Sequence, residues 1–146
     1  VIKIALHVNG RVILATLNDT EAAHAFAAML PLTLTLHDLF GREKFGALPC
    51  AMPPAKVRTQ PSRAGDILCW AAGPDLSLVH RADGKAVTGA FHVLGRIETG
   101  AEAFSAPGPL TVTVDMLTTP SAETAAKRRS CRSADGGARS RTARVV

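Results

Sequence analysis

The residues of this chain with chemistry to offer are five histidines, three cysteines and one short charged triplet. His92 lies in the run Phe91-His92-Val93-Leu94-Gly95-Arg96-Ile97. Strand alternation there sends Phe91 and Val93 to one face and His92 and Leu94 to the other. A histidine so placed can line a groove, although beside a leucine it is more often a hydrogen-bonded structural residue. Arg42-Glu43-Lys44, between Gly41 and Gly46, offers two readings. One is the polar rim of a binding cleft; the other is a solvated turn in which Glu43 accepts from nearby backbone N–H groups. Phe45, Leu48, Met52 and Trp70 can form an apolar pocket under a long loop, or plain core. A buried Trp70 needs a partner for its indole N–H.

Local enzyme signatures are absent. His37-Asp38 and His80 form no triad with an evident serine, and there is no GxSxG, HExxH, Walker loop or strand-borne GxGxxG. The histidines and cysteines lack metal-ligand spacing. No catalytic residue, metal or cofactor is therefore expected. Cys50, Cys69 and Cys131 are odd in number, widely spaced and without a CxxC. That pattern argues against a disulfide framework, fits a reducing cytoplasm, and makes Cys50 and Cys69 small buried hydrophobes.

The net charge of +5 belongs to one end of the chain. Residues 1–116 hold ten Lys/Arg and ten Asp/Glu, so the excess comes wholly from seven basic and two acidic residues in 117–146. The C-terminal stretch is rich in Ser, Thr, Ala, Gly and Arg and has no apolar periodicity. It is expected to be a basic disordered tail, because too little apolar surface is available to offset ordering entropy. Any nucleic-acid contact would come through that tail alone, where clustered arginines neutralise phosphate; it carries no aromatics for base stacking. No apolar run approaches the roughly 18 residues a bilayer span needs, so no membrane partner is expected. The chain begins at Val1, so a removed signal peptide stays open.

The elements that must position these residues read mostly as strands. Ile2, Ile4, Leu6 and Val8 alternate with Lys3, Ala5 and His7, then Asn9-Gly10 signals a tight hairpin into Val12–Leu17. Asn18 and Glu21 have capping-box spacing ahead of one amphipathic helix over 19–30, ended by Pro31. Leu32 to Leu36 alternates with threonines. Phe40 to Pro61 is punctuated by Gly41, Gly46, Pro49, Pro53 and Pro54 and reads as a long irregular loop, of the kind that often carries function. Strands follow at Asp66–Ala71 and Leu76–His80, one or two more over Ala86–Ile97 (with Gly89 and Gly95 as bulges or bends) and a last one at Leu110–Val114, with a helical turn near Gly100–Phe104. Seven or eight short strands and one helix predict a mainly β barrel or sandwich.

The segment His92-Val93-Leu94-Gly95-Arg96-Ile97, with Asp83-Gly84-Lys85 upstream, resembles the late strand–turn–strand of cyclophilins. An ordered series more closely resembles the short bacterial cyclophilin-like family: Leu30-Pro31-Leu32-Thr33-Leu34-Thr35-Leu36, Gly41-Arg42-Glu43-Lys44-Phe45-Gly46 with Leu48-Pro49, Ala64-Gly65-Asp66-Ile67-Leu68, and Leu94-Gly95-Arg96-Ile97. The resemblance covers roughly residues 2–115 and implies a closed β-barrel of about eight strands with a helix capping one end. It implies no settled activity. Prolyl isomerases of that fold use an Arg, a closely following Phe-Met pair and a Gln, and no such series occurs here. Arg42 and Phe45 lie in the right region, Met52 is too far along, Gln60 follows a Pro-rich loop, and only His92 matches a groove residue by context.

The expectation is thus a barrel domain over 1–116 and a tail over 117–146. The function expected is a non-catalytic small-ligand or peptide-binding module, with weak peptidyl-prolyl cis-trans isomerase activity as the alternative. The expected ligand groove gathers Arg42, Phe45, Met52, Phe91 and His92.

Overall fold

The hairpin at Asn9-Gly10 starts the architecture. Both residues take positive φ (47° and 76°), the backbone that a tight primed turn requires. They join β1 (Ile2–Val8) to β2 (Arg11–Leu17) in full antiparallel register from Ile2↔Leu17 to Val8↔Arg11. The computed structural model describes residues 2–117. The tail expected over 117–146 lies, Leu117 aside, outside the described residues.

Seven further strands follow: β3 (Leu32–Leu39), β4 (Glu43–Ala47), β5 (Val57–Pro61), β6 (Asp66–Trp70), β7 (Asp75–Val79), β8 (Ala86–Ile97) and β9 (Leu110–Met116). Their order is β2-β1-β9-β3-β4-β7-β6-β8-β5, and β2 also pairs with β8. That last pairing closes eight antiparallel strands into a barrel and leaves β5 as a ninth strand, added outside the ring on the N-terminal half of β8. Closure depends on Gly95. A Cβ there would stand 2.1 Å from the Thr16 carbonyl oxygen and 2.8 Å from the Leu17 Cα. One irregularity adds a residue to β8 beside β6, between Ile67↔Gly95 and Leu68↔Val93. The bulge falls at Leu94, whose carbonyl accepts from the Asn18 N–H at 2.7 Å.

The helix α1 (Glu21–Ala27) is shorter than the run expected over 19–30, and its N-cap is Thr20 rather than Asn18. Thr20 Oγ1 accepts from the Ala23 N–H at 3.1 Å. Asn18 is committed elsewhere: besides its backbone bond, its Nδ2 donates to the Val93 carbonyl at 3.2 Å, tying the end of β2 to β8. The helix buries Ala22, Ala23 and Phe26 against the barrel core, and Met29 and Leu30 follow them in just past its end. Leu30-Pro31 and Gly73-Pro74 are cis. A short 3₁₀ helix, Ala101–Ser105, buries Phe104.

Two strands occupy the stretch expected to be one irregular loop. In β4 the residues that alternate are Glu43, Lys44 and Phe45, so no apolar period marks it; β5 is almost wholly exposed and contains Pro61. The core is also double. Ile4, Leu6, Leu17, Phe26, Leu36, Ile67, Leu78, Phe104 and Val114 belong to the barrel interior. A second, smaller cluster of Leu68, Val79, Val87 and Phe91, with Trp70 and Val93 packed on it, lies on the other face of the β7-β6-β8 strands.

Candidate binding site at the β5–β8 ribbon

Cross-strand partners share a face, so register sorts the five expected groove residues. Phe45 lies opposite Ser77, and Ser77 opposite Leu68, which belongs to the smaller cluster together with Phe91. His92 lies opposite Cys69, a residue of the barrel interior, and Met52 packs against that same interior. Thus Met52 and His92 are brought together: the His92 Nε2 is 2.8 Å from the carbonyl of Pro53, the residue after Met52. Phe45 and Phe91 lie on the opposite face of the sheet. Phe91 is buried, tilted against Trp70 with ring centroids 5.0 Å apart, and Arg58 stands 5.5 Å over its ring. The five do not converge on one groove.

Arg42 follows the Phe40–Gly41 turn and is committed to two carboxylates, 2.9 Å from Glu43 and 2.9 Å from Asp83. Burial opposes its charge, but the hydrogen bonds to Glu43 and Asp83 outweigh that and raise its pKa. Asp83 is held below the usual carboxylate range, first by the Lys85 backbone N–H and then by Arg42. Glu43 is buried and accepts from the Ser77 hydroxyl as well. Lys44, on the opposite face, is also fully buried. It donates to Asp38 and to the backbone carbonyls of Ala106 and Gly108. Its three N–H groups are therefore all used. Asp38 is lowered by that bond and by the Gly108 N–H. The triplet is neither a solvated turn nor an open rim: Glu43 and Lys44 point to opposite faces and both are consumed by internal partners.

Cys69 is free and buried, and removal from water pushes its thiol up to about 12, which makes it inert as a nucleophile. Cys50 is buried but disulfide-bonded, which corrects the expectation of a reduced apolar residue there. No group of three or more His, Cys, Asp or Glu among the described residues is arranged to hold a metal ion.

An accessible concavity lies at the ribbon made by β5 and the start of β8. A hollow of about 350 Å³ is lined by Thr59, Gln60, Pro61, Ser62, Gly84, Lys85 and Ala86. The Ser62 N–H donates to the Lys85 carbonyl at 3.4 Å, continuing the register Val57↔Ala90 to Pro61↔Ala86. In an antiparallel pair hydrogen-bonded positions alternate. Ser62, Gln60 and Arg58 therefore turn their backbone groups toward β8, and Val57, Thr59 and Pro61 turn theirs away. β5 pairs with no other described strand, so these groups form a free edge. Pro61 is tolerated because its missing N–H falls on the free side. The sequence signal for this site was weak: Asp83-Gly84 marks the turn, but nothing in an exposed pentapeptide shows that it pairs.

Residues 6–115 match the Cyclophilin-like family. The chain belongs to that family. Among solved structures it is similar to the hypothetical protein AF2241 from Archaeoglobus fulgidus, with a TM-score of 0.59 and 18% identity over 78% of this chain and 93% of that one. That likeness shows the fold. No curated protein matches the sequence. Two of the stretches that carry the resemblance, Ala64–Leu68 and Leu94–Ile97, hold each other in the fold. Asp66 and Arg96, one from each, are register partners and form an ion pair at 2.6 Å. Beside them the Ile97 N–H donates to the Gly65 carbonyl at 2.7 Å. No helix among the described residues is long and apolar enough to cross a membrane.

Proposed function

We propose that this Cyclophilin-like domain is a non-catalytic module that binds an extended peptide along the free edge of β5. The observation that carries the reading is the edge itself. Barrel closure abolishes edges, yet this barrel carries one extra strand outside its ring, with the backbone groups of Val57 and Thr59 turned outward. Peptides dock on such edges by adding a strand, taking affinity from main-chain hydrogen bonds and specificity from adjacent pockets. The hollow at the end of β5 is such a pocket. Rotation about a prolyl amide faces a barrier of about 18–20 kcal/mol. Arg42, the residue best suited by type to polarise that amide, is already held by Glu43 and Asp83.

The test is a titration of isotope-labelled protein with a pool of unstructured hexapeptides, followed by amide chemical shifts. Shifts are expected at Val57, Thr59 and the residues around the hollow. Thr59→Pro removes an outward N–H while leaving the backbone bonds to β8 and losing only the Thr59–Thr88 hydroxyl contact at 2.9 Å, and should abolish the response. Shifts centred elsewhere, or an unchanged response in the proline variant, would sink the reading. A protease-coupled isomerase assay should give only the uncatalysed rate; turnover lost in His92→Ala would make the protein an enzyme instead.

A further inference from the structure

The hollow beside β5 contains an unanswered polar group. Ser62 is only 8% exposed, and its Oγ is buried with no hydrogen-bond partner among the described residues. A buried hydroxyl left unpaired is costly, so each case calls for an explanation. Lys85 is the one charged side chain lining the same hollow, and no carboxylate lines it. The nearest acid in sequence, Asp83, does not neutralise Lys85: its oxygens are taken by Arg42 at 2.9 Å and by the Lys85 backbone N–H at 3.0 Å. Among the described residues the Lys85 ammonium enters no ion pair. Ser62 and Lys85 thus line one concavity that no carboxylate lines, with the Ser62 hydroxyl closed off from it in this rotamer.

We infer that this hollow is a carboxylate-binding subsite, in which Ser62, by turning its buried Oγ–H into the hollow, and Lys85 Nζ receive the two oxygens of a ligand carboxylate. The inference rests on the peptide reading for its source of ligand and deepens it. A strand added along β5 loses its last donor at Pro61, which has no N–H and lines the hollow. The peptide must leave the edge there, so what enters the hollow is its C-terminal carboxylate or an acidic side chain. Hydrogen bonds to a charged acceptor are about twice as strong as neutral ones, which gives the subsite its selectivity for acids over amides.

The experiment uses the full chain and four probes: a hexapeptide free acid without acidic side chains, its C-terminal amide, the amide carrying one internal glutamate, and sodium acetate. The free acid or the glutamate amide should bind about tenfold more tightly than the plain amide, and the preferred one identifies the source. Lys85→Gln should remove that advantage while leaving plain-amide binding unchanged. Ser62→Ala should reduce it without loss of stability, because it deletes an unpaired group. Equal binding of acid, glutamate and plain amide, unaffected by Lys85→Gln, would overturn the subsite and leave the peptide reading intact. Acetate shifts at Ser62 and Lys85 with no peptide binding would uphold the subsite and overturn the peptide reading. No response to any probe would overturn both.

Discussion

At the scale of residues, the charged triplet changes character between sequence and structure. Glu43 and Lys44 are 1% and 0% exposed, and a buried ion that is not fully paired is expensive. Each is answered completely, Lys44 by Asp38 and two carbonyls, Glu43 by Arg42 and Ser77. His80 is not answered. Both ring nitrogens are buried without a partner among the described residues. Burial is the first cause of its lowered pKa and the nearby Lys44 the second, with Asp38 and Glu43 opposing them and Arg81 adding to them. A histidine whose folded pKa lies below the unfolded value binds fewer protons in the folded state. Stability therefore falls as pH drops through about 6.5 toward the folded pKa. Urea midpoints at mildly alkaline and mildly acidic pH should show this loss for wild type, and His80→Phe should flatten it. An unchanged slope in the variant would assign the pH dependence to other groups.

Elements show which signals survive from sequence and which are overridden. The β1–β2 hairpin, β3, β6, β7, β8 and β9 were legible because apolar alternation and turn residues agree at each. β4 was not, because two of its inward and outward positions are Lys and Glu, which become apolar-equivalent only after their charges are met. β5 was not, because an edge strand exposed on both faces has no pattern to read. The helix cap moved from Asn18 to Thr20 because Asn18 is used across the barrel seam. At that seam Gly95→Ala would drive a methyl into the Thr16 carbonyl. It should cost about 1–3 kcal/mol, or more if the seam cannot widen, read from the denaturation midpoint. A neutral result would mean that the β2–β8 closure is not held by that close approach.

For the whole molecule, the two clusters predict two levels of stability. The barrel interior is large and bounded by a ring of paired strands, whereas the ribbon of β5 and early β8 rests on four buried residues and their neighbours. Segments with fewer buried apolar contacts open first. Hydrogen exchange should therefore release the Arg58 and Gln60 amides well before those of β1 and β9. Trp70, the sole tryptophan, packs on Phe91 in the smaller cluster and reports the same event. Phe91→Ala should red-shift its emission while the far-ultraviolet signal of the barrel persists. Simultaneous loss of both signals would mean that the ribbon and barrel unfold as one unit.

Period-two strands and turn residues were enough to determine a mainly β barrel or sandwich with one helix, because those signals are local and each restricts its own backbone; that the barrel is closed was implied only by the resemblance to the cyclophilin-like family. Which residues meet was decided only in the tertiary structure. Phe91 and His92 are adjacent in sequence yet lie on opposite faces of one sheet, so chain proximity could not tell a groove from two cores. Ser62 and Lys85 are far apart in sequence and meet only because β5 pairs with β8. That pairing is made by backbone groups common to every residue, and their partners are chosen by the fold.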